Sequence, residues 1–453
     1  MITKLHPYPK YKETGVEWLD KVPESWDVLP NRTLFYEIKD SNHPEEPLLS
    51  VTISRGIVQQ SDLLSNSSKK DSSNEDKTKY KLVVPGDIAY NKMRAWQGSI
   101  GISKFRGIVS PAYIIQRPRK TLNADYFHYL FRTPSFAKEA ERWSYGITSD
   151  QWSLRSEHFR MIYSSLPSIQ EQNLIVKFVK YTTNKIQKFI NTKQKLIKLL
   201  EEQKQAIIHQ AVTGAIDVQT GKPYPKYSNF EVGYLKAIPS NWKLSKIKFV
   251  CSIHNGADHK HIETTHGYPV LGSGGQFSYA SSFLYNKVSV LFGRKGTIDK
   301  PLYIEEPFWT VDTMFYTKIH KNVLPKYLFF IAKIIPYDYY STKTALPSMT
   351  QTILGNHKMP LPPIRIQENI VDYIESKLIT INSTFEHTKR EIELLKEYKT
   401  RLISDVVTGK IDVREIAKTL PDDVAIEEIL DEVEESNEEI IDDDSVFEEN
   451  ESK

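Results

Sequence analysis

The sequence predicts an α+β chain laid out as a tandem repeat: two globular segments of mixed strand and helix, each followed by a long coiled-coil helix. Three observations carry this. First, Tyr8-Pro9-Lys10-Tyr11, Leu19, Pro23 and Trp26 return as Tyr224-Pro225-Lys226-Tyr227, Leu235, Pro239 and Trp242. Second, Leu166-Pro167 through Val212-Thr213-Gly214 and Ile216-Asp217-Val218 returns without a gap as Leu361-Pro362 through Val407-Thr408-Gly409 and Ile411-Asp412-Val413, with roughly 19 identities in about 53 positions. Third, the segments between these frames resemble each other little and differ in length by roughly 21 residues. Shared frames around dissimilar inserts describe one scaffold presenting two different reading heads. That suits a binder of two distinct half-sites better than an enzyme with one active site.

In the first head, Lys81-Leu82-Val83-Val84, Pro85-Gly86-Asp87 and Ile88-Ala89-Tyr90 read as strand, turn, strand. Val288 to Phe292 before Gly293 reads similarly in the second. Tyr126 to Phe131 and Tyr327 to Ile335 read as short helices with an aromatic core face, and the polar run Ser61 to Lys79 as an exposed loop. The long helices are clearer. Val176, Val179, Thr183, Ile186, Ile190, Lys193, Ile197, Leu200, Lys204, Ile207 and Ala211 alternate three and four apart, and Val371 to Val406 repeats the seam. Its polar members coincide, Lys193 with Thr388 and Lys204 with Lys399, as register-fixing residues do. Ser168 and Glu171 have capping-box spacing, Pro363 and Ile366 replace them in the second copy, and Gly214 and Gly409 are natural left-handed terminators. The expected boundaries are 1–165 and 219–360 for the heads, 166–218 and 361–413 for the helices, and 414–453 for an acidic tail too charged to fold alone.

The chain has 60 Lys and Arg against 57 Asp and Glu, but the charges are segregated. Residues 414–453 hold 17 acidic and 3 basic side chains, which leaves a body of about +17. A basic body rich in aromatic residues suits contact with a phosphate backbone; solvated lysines give the same count. Cys251 is the only cysteine, so internal disulfides and cysteine zinc sites are excluded and a reducing cytoplasm fits. No apolar run is long enough for a bilayer, and the start lacks a signal-peptide core.

Catalytic signatures are missing: there is no Gly-x-x-x-x-Gly-Lys-Ser/Thr, no Gly-x-Ser-x-Gly and no His-Glu-x-x-His. Gly272-Ser273-Gly274-Gly275 runs into Gln276-Phe277-Ser278-Tyr279, which reads as extended chain, so it is a sheet-edge turn rather than a nucleotide loop. His254, His259, His261 and His266 match no zinc spacing and read as exposed or phosphate-facing. Two places carry groups suited to DNA. The first follows the predicted strands: Asn91, Lys92, Arg94, Trp96 and Gln97, and in the second head Arg294, Lys295 and Thr297. Arg and Lys donate to guanine edges or phosphates, and Asn and Gln pair with adenine. The other precedes the long helices: Tyr145, Ser149, Gln151 and Arg155, and Ser348 with Gln351. Surface hairpins and helix-start turns use the same residue types, so both readings stand at this point.

Taken in order, the pieces resemble the specificity subunits of type I restriction–modification systems. They are Trp18-Leu19, Val22-Pro23 and Trp26; Pro85-Gly86-Asp87 with Asn91-Lys92-Met93-Arg94; Gly107-Ile108-Val109-Ser110-Pro111-Ala112-Tyr113; and Leu166-Pro167 with Glu171-Gln172. The second half adds Tyr268-Pro269-Val270 with Gly272-Ser273-Gly274-Gly275, Arg294-Lys295-Gly296-Thr297 and Trp309-Thr310-Val311-Asp312-Thr313. The similarity covers nearly everything up to Val413; Pro363-Ile364-Arg365-Ile366-Gln367 and the acidic tail depart from it. It implies two α/β target-recognition domains in tandem repeat, separated by two long antiparallel coiled-coil helices. Each domain would read one half of a split site in double-stranded DNA. The helices would measure the spacer and dock methyltransferase subunits, with restriction/translocase subunits joining. No catalytic residue, metal or cofactor is expected in this chain; S-adenosylmethionine, ATP and Mg would belong to the partners. The competing expectation is a protein-interaction scaffold that oligomerises through its coiled coil.

Overall fold

The computed structural model describes residues 5–53, 55–65, 76–146, 152–232, 235–340 and 347–421. They form two compact units, Met1–Thr192 with Glu391–Lys453, and Lys193–Arg390. The first begins with β1 (Tyr11–Glu13), β2 (Lys21–Pro23), β3 (Asp27–Pro30), α1 (Asn31–Leu34) and β4 (Phe35–Ile38). Then come β5 (Leu49–Thr52), β6 (Gly56–Gln59), α2 (Gln60–Ser65), β7 (Lys81–Val83), β8 (Ile88–Asn91), β9 (Ile100–Ile102), β10 (Gly107–Val109) and β11 (Tyr113–Pro118). Helices α3 (Ala124–Phe131), α4 (Pro134–Arg142) and α5 (Ser156–Met161) precede β12 (Tyr163–Leu166) and the 45-residue helix α6 (Ile169–Thr213). The run expected as a loop from Ser61 therefore starts inside a helix; residues 66–75 lie outside the described residues.

The second unit continues with β13 (Tyr227–Val232), β14 (Leu235–Pro239), β15 (Lys243–Lys246), β16 (Cys251–Asn255), β17 (Glu263–Thr264), β18 (Tyr268–Gly272) and β19 (Gly275–Ala280). Strands β20 (Ser289–Gly293), β21 (Leu302–Ile304), β22 (Trp309–Thr310) and β23 (Met314–Ile319) follow. Helices α7 (Pro325–Ala332), α8 (Tyr337–Tyr340) and α9 (Gln351–Asn356) and strand β24 (Lys358–Leu361) lead into the 44-residue α10 (Ile364–Val407), whose residues from Glu391 on belong to the first unit together with the short α11 (Arg414–Thr419).

The central sheets match strand for strand, β4-β11-β8-β9 and β16-β23-β20-β21, antiparallel throughout. Each head opens and closes through one antiparallel pair, β3 with β12 and β15 with β24, which delivers the chain to its long helix. Rings fill the first core: Phe35, Phe127, Phe131, Phe136 and Phe159 contact one another at centroid distances of 4.7–6.4 Å. In the second, Tyr327, Leu328 and Ile331 of α7 pack with Val290, Phe292 and Phe315 of the sheet.

The repeated blocks clasp a helix end in each unit. Tyr11 Oη accepts the Tyr8 N–H (3.0 Å) and donates to the Lys410 carbonyl (3.1 Å) just past α10. Tyr227 Oη accepts the Tyr224 N–H (2.9 Å) and donates to the Gly214 carbonyl (3.0 Å) just past α6. Gly409 (φ +81°) and Gly214 (φ +73°) end these helices in the left-handed region; a Cβ on either would lie 2.4 or 2.5 Å from a Pro23 or Pro239 ring carbon. Tyr126 and Tyr327 then donate to the last-turn carbonyls of Val407 and Val212, at 3.0 and 3.2 Å. Two offsets in the sequence thus express one motif, a start frame closed on a helix end.

Every seam position of α6 and α10 is buried or half-buried, with Ile208 taking the inner place beside Ile207. The helices run antiparallel: in the first unit Lys399 Nζ donates to Gln187 Oε1 (3.0 Å), while Glu171 and Arg414 meet at the opposite ends (3.9 Å). At the start of α6 only half of a capping box forms. Ser168 Oγ accepts the Glu171 N–H (3.3 Å), but the Glu171 carboxylate turns to the Tyr8 hydroxyl (2.9 Å). Gln172 is the larger anchor, donating to the Pro167 carbonyl (2.9 Å) and accepting the Asn123 N–H (2.9 Å). Gln367 does the same with the Pro362 carbonyl (2.8 Å) and the Leu324 N–H (2.8 Å), so the divergent start of α10 keeps the side chain that matters.

Candidate nucleic-acid interface

The connection from β8 to β9 folds tightly. Asn91 Oδ1 accepts the Met93 N–H (2.9 Å), a single 3-10 turn spans Ala95–Gln97, and Gly98 closes it at φ +97°. The Trp96 indole donates to the Met93 carbonyl (2.9 Å) and meets the Trp152 ring edge-on at 5.5 Å. Leu154, fully buried just before α5, donates its N–H to the Lys92 carbonyl (2.8 Å), tying the second expected loop to the first. Lys92 is half-buried; burial and then the charge of Arg155 hold its ammonium below the usual lysine range. Gln97, Tyr145 and Arg155 are exposed, and Arg94 is half-buried. Tyr145 and Ser153 bridge the base of their loop; Ser149 and Gln151 lie outside the described residues. A third turn joins them. Arg132 donates to the carbonyls of Thr52 (3.3 Å), Ile53 (2.6 Å) and Ile100 (3.1 Å), holding the end of β5 against β9.

The second head repeats the plan with other side chains. Met349, buried just before α9, donates its N–H to the Arg294 carbonyl (2.9 Å), as Leu154 does to Lys92. The structural counterpart of Arg294 is therefore Lys92, not Arg94. Lys295 and Ser348 bridge the two loops directly, and the Gly296 N–H reaches the Pro347 carbonyl (2.9 Å). Arg294 lies over the Phe315 ring (5.9 Å) and donates to the Asp312 carbonyl (3.2 Å), and Lys295 is 3.7 Å from the Asp312 carboxylate. Thr297 is half-buried where the chain folds back on Gly293. Gln351, although exposed, donates to the Ile253 carbonyl (2.6 Å) and anchors α9 to β16. The histidines spread out: His254 stacks on Tyr316 (5.1 Å), while His259 and His261 meet Phe277 and Trp309 edge-on. Among the described residues no cluster of His, Cys, Asp or Glu has the makings of a metal site.

Gly272-Ser273-Gly274-Gly275 is a hairpin turn in which Gly272 pairs with Gly275. Thr313 fastens it to the first loop. Its Oγ1 accepts the Ser273 N–H (3.3 Å), and its carbonyl accepts the N–H groups of Arg294 (2.8 Å) and Lys295 (3.3 Å).

Residues 239–395 match the family described as type I restriction modification DNA specificity domain. The type I restriction enzyme MjaVIII specificity subunit of Methanocaldococcus jannaschii is 22% identical over 384 residues, covering 75% of this chain and 84% of that protein. The putative MjaX specificity subunit of the same organism is 21% identical, covering 89% and 98%. A chain solved in work on complex assembly and conformational transition of the type I R-M system superposes with a TM-score of 0.64 at 13% identity, covering 85% of this chain and 98% of that one. The chain is similar to the type I restriction–modification specificity subunits. Its resemblance in motifs and its fold, two α/β heads with two long helices, agree.

The sequence motifs marked the first two loops of each head, and the structure brings them together. They did not reveal the clips. Thr313 stands inside the quoted Trp309 to Thr313 block and Arg132 in an ordinary helix end, and both act through backbone carbonyls or a hydroxyl that no spacing rule marks. No described helix is long and apolar enough to cross a membrane.

Proposed function

We propose that the chain is the DNA sequence-specificity subunit of a type I restriction–modification complex. It reads a bipartite site in double-stranded DNA, one half per head, and scaffolds methyltransferase and restriction subunits. The observation that carries this is the contrast inside each unit: identical clasps hold a cluster of loops whose side chains differ between heads. Lys92, Arg94, Trp96, Gln97, Tyr145 and Arg155 form one set, and Arg294, Lys295, Thr297 and Ser348 the other. Cations beside amides and hydroxyls supply phosphate contacts for register and donors and acceptors for base edges. The long helices set the spacing of the half-sites. They also expose apolar side chains that suit docking of partner helices: Phe189, Leu394 and Tyr398 in the first unit, Leu196, Leu199 and Ile379 in the second. Methyl transfer, with S-adenosylmethionine, and ATP-driven cleavage belong to those partners.

The test is long-read methylation profiling of cells carrying this chain and its neighbouring methyltransferase, compared with cells lacking only this chain. A split motif with N6-methyladenine in both halves, present only with the chain, is expected. No motif difference with an active methyltransferase would favour the protein-interaction scaffold instead.

A further inference from the structure

We propose that the β18–β19 hairpin tip, Ser273-Gly274, is a third DNA-contact element of the second head, where it receives a backbone phosphate. This rests on the DNA-reading function proposed above. The hairpin is physically part of the reading face: Thr313 holds the Ser273 N–H with its hydroxyl and the N–H groups of Arg294 and Lys295 with its carbonyl. The tip also touches the Arg294 loop, because a Cβ on Gly296 (φ +77°) would lie 3.2 Å from Ser273 Oγ.

The glycines of the turn have different reasons for being glycine. Gly275 takes φ +108°, which side-chain-bearing residues rarely adopt. Gly272 is hemmed in, since a Cβ there would meet Phe277 at 3.2 Å and Thr313 Oγ1 at 3.4 Å. Gly274 has neither reason: its φ lies outside the left-handed range, and among the described residues a Cβ would meet nothing within 4 Å. It is exposed, beside a loop bearing two cations, one of them an ammonium on the exposed Lys295. Among the described residues nothing asks for a bare backbone there, whereas a close-packed phosphate does: glycine lets the main chain approach a duplex closely, and exposed N–H groups of a turn bind anions. The exposed Phe277 ring (57%) on β19 flanks the same tip.

The test uses the full-length chain and a pool of random-sequence duplex DNA, first to select the bound sequence and then to measure affinity for it. Gly274→Ala, Gly274→Asp and Gly274→Lys are compared with the unchanged chain, with thermal melting alongside. All three are expected to melt like the parent, since the site is open. Gly274→Ala should lose about threefold in affinity and Gly274→Asp about tenfold, neither changing the selected sequence, with Gly274→Lys losing less than Gly274→Asp. Equal affinities for the Asp and Lys variants overturn the phosphate contact. So does an equal loss in both with lowered melting, which makes the tip purely structural. An unchanged chain that selects no sequence removes the DNA-reading function itself, a distinguishable failure.

Discussion

The two units agree where they hold together and differ where they face outward. The clasp tyrosines, the helix-end glycines against proline, the Tyr126 and Tyr327 hydroxyls and the Gln172 and Gln367 anchors repeat with bond lengths within a few tenths of an ångström. In the loops after β8 and β20 the backbone bond from Leu154 or Met349 is shared, but the side chains around it differ. Trp96 and Trp152 close over the first loop, and Arg132 holds its third turn; in the second head a backbone bridge and the Thr313 hydroxyl serve instead. Assembly geometry tolerates one solution per position, because a buried polar group that loses its partner is costly. Loop tips are free to vary.

The harshest test of equivalence is at the helix ends. Gly409→Val or Gly214→Val puts a side chain into the ring of Pro23 or Pro239 at a left-handed φ. Each should cost about 3 kcal/mol, read as a lower midpoint in denaturant unfolding, and the two losses should match. A large loss in one unit alone would break the claim that both clasps work alike. Next come the glutamines. Gln172→Leu and Gln367→Leu each strand a backbone N–H and a proline carbonyl, with an expected loss of about 2 kcal/mol apiece. A neutral Gln367→Leu would mean that the start of α10 is held by something other than its matched anchor.

These positions show what a single sequence reveals. The clasps were legible as recurrence, because they use large, distinctive residues at fixed spacing, and the seams were legible as periodicity. The purpose of two offsets was not, since it depends on residues hundreds apart, such as Tyr126 with Val407. Nor was the register of the reading loops. Residue type offered Lys92 and Arg94 alike as reading residues, and the shared carbonyl bond to the residue before α5 or α9 matches Lys92 to Arg294. Gln351 looked like a reading residue from its type, and its amide is in use at the Ile253 carbonyl. The run after Ser61 looked like loop because polarity dominates it, yet it starts inside α2.

The loop register sharpens into a smaller effect. Lys92→Ala should weaken methylation at one half-site, and Arg294→Ala at the other, by about tenfold each with unchanged melting. Motif-resolved methylation rates check this. If Arg94→Ala acts strongly and Lys92→Ala not at all, the correspondence drawn from the backbone is wrong for function.

The smallest expected effect lies where the units are alike in place and opposite in sign. Asp125 of α3 pairs with Lys180 of α6, and at the equivalent positions Lys326 of α7 pairs with Glu375 of α10. Burial would raise the Asp125 carboxyl, but the Lys180 hydrogen bond and charge, helped by Lys104, bring it below the usual range. Its contribution is therefore present above the ordinary aspartate pKa and lost as pH falls through the depressed value. The hydrogen bond to Glu375 raises the Lys326 ammonium, so that contribution is present below the ordinary lysine pKa and lost as pH rises through the raised value. Both pairs are about a third exposed or more on at least one side, so each is worth only about 0.5 kcal/mol. The comparison yields a signed expectation all the same. Asp125→Asn should flatten the acid limb of the stability profile and Lys326→Gln the alkaline limb, with neither affecting the other. Reversing one partner, Asp125→Lys, should destabilise, and adding Lys180→Glu should restore stability by giving the first unit the second unit's arrangement. Failure of that double reversal to recover would show that surroundings such as Lys104, rather than the pair itself, fix the sign at each place.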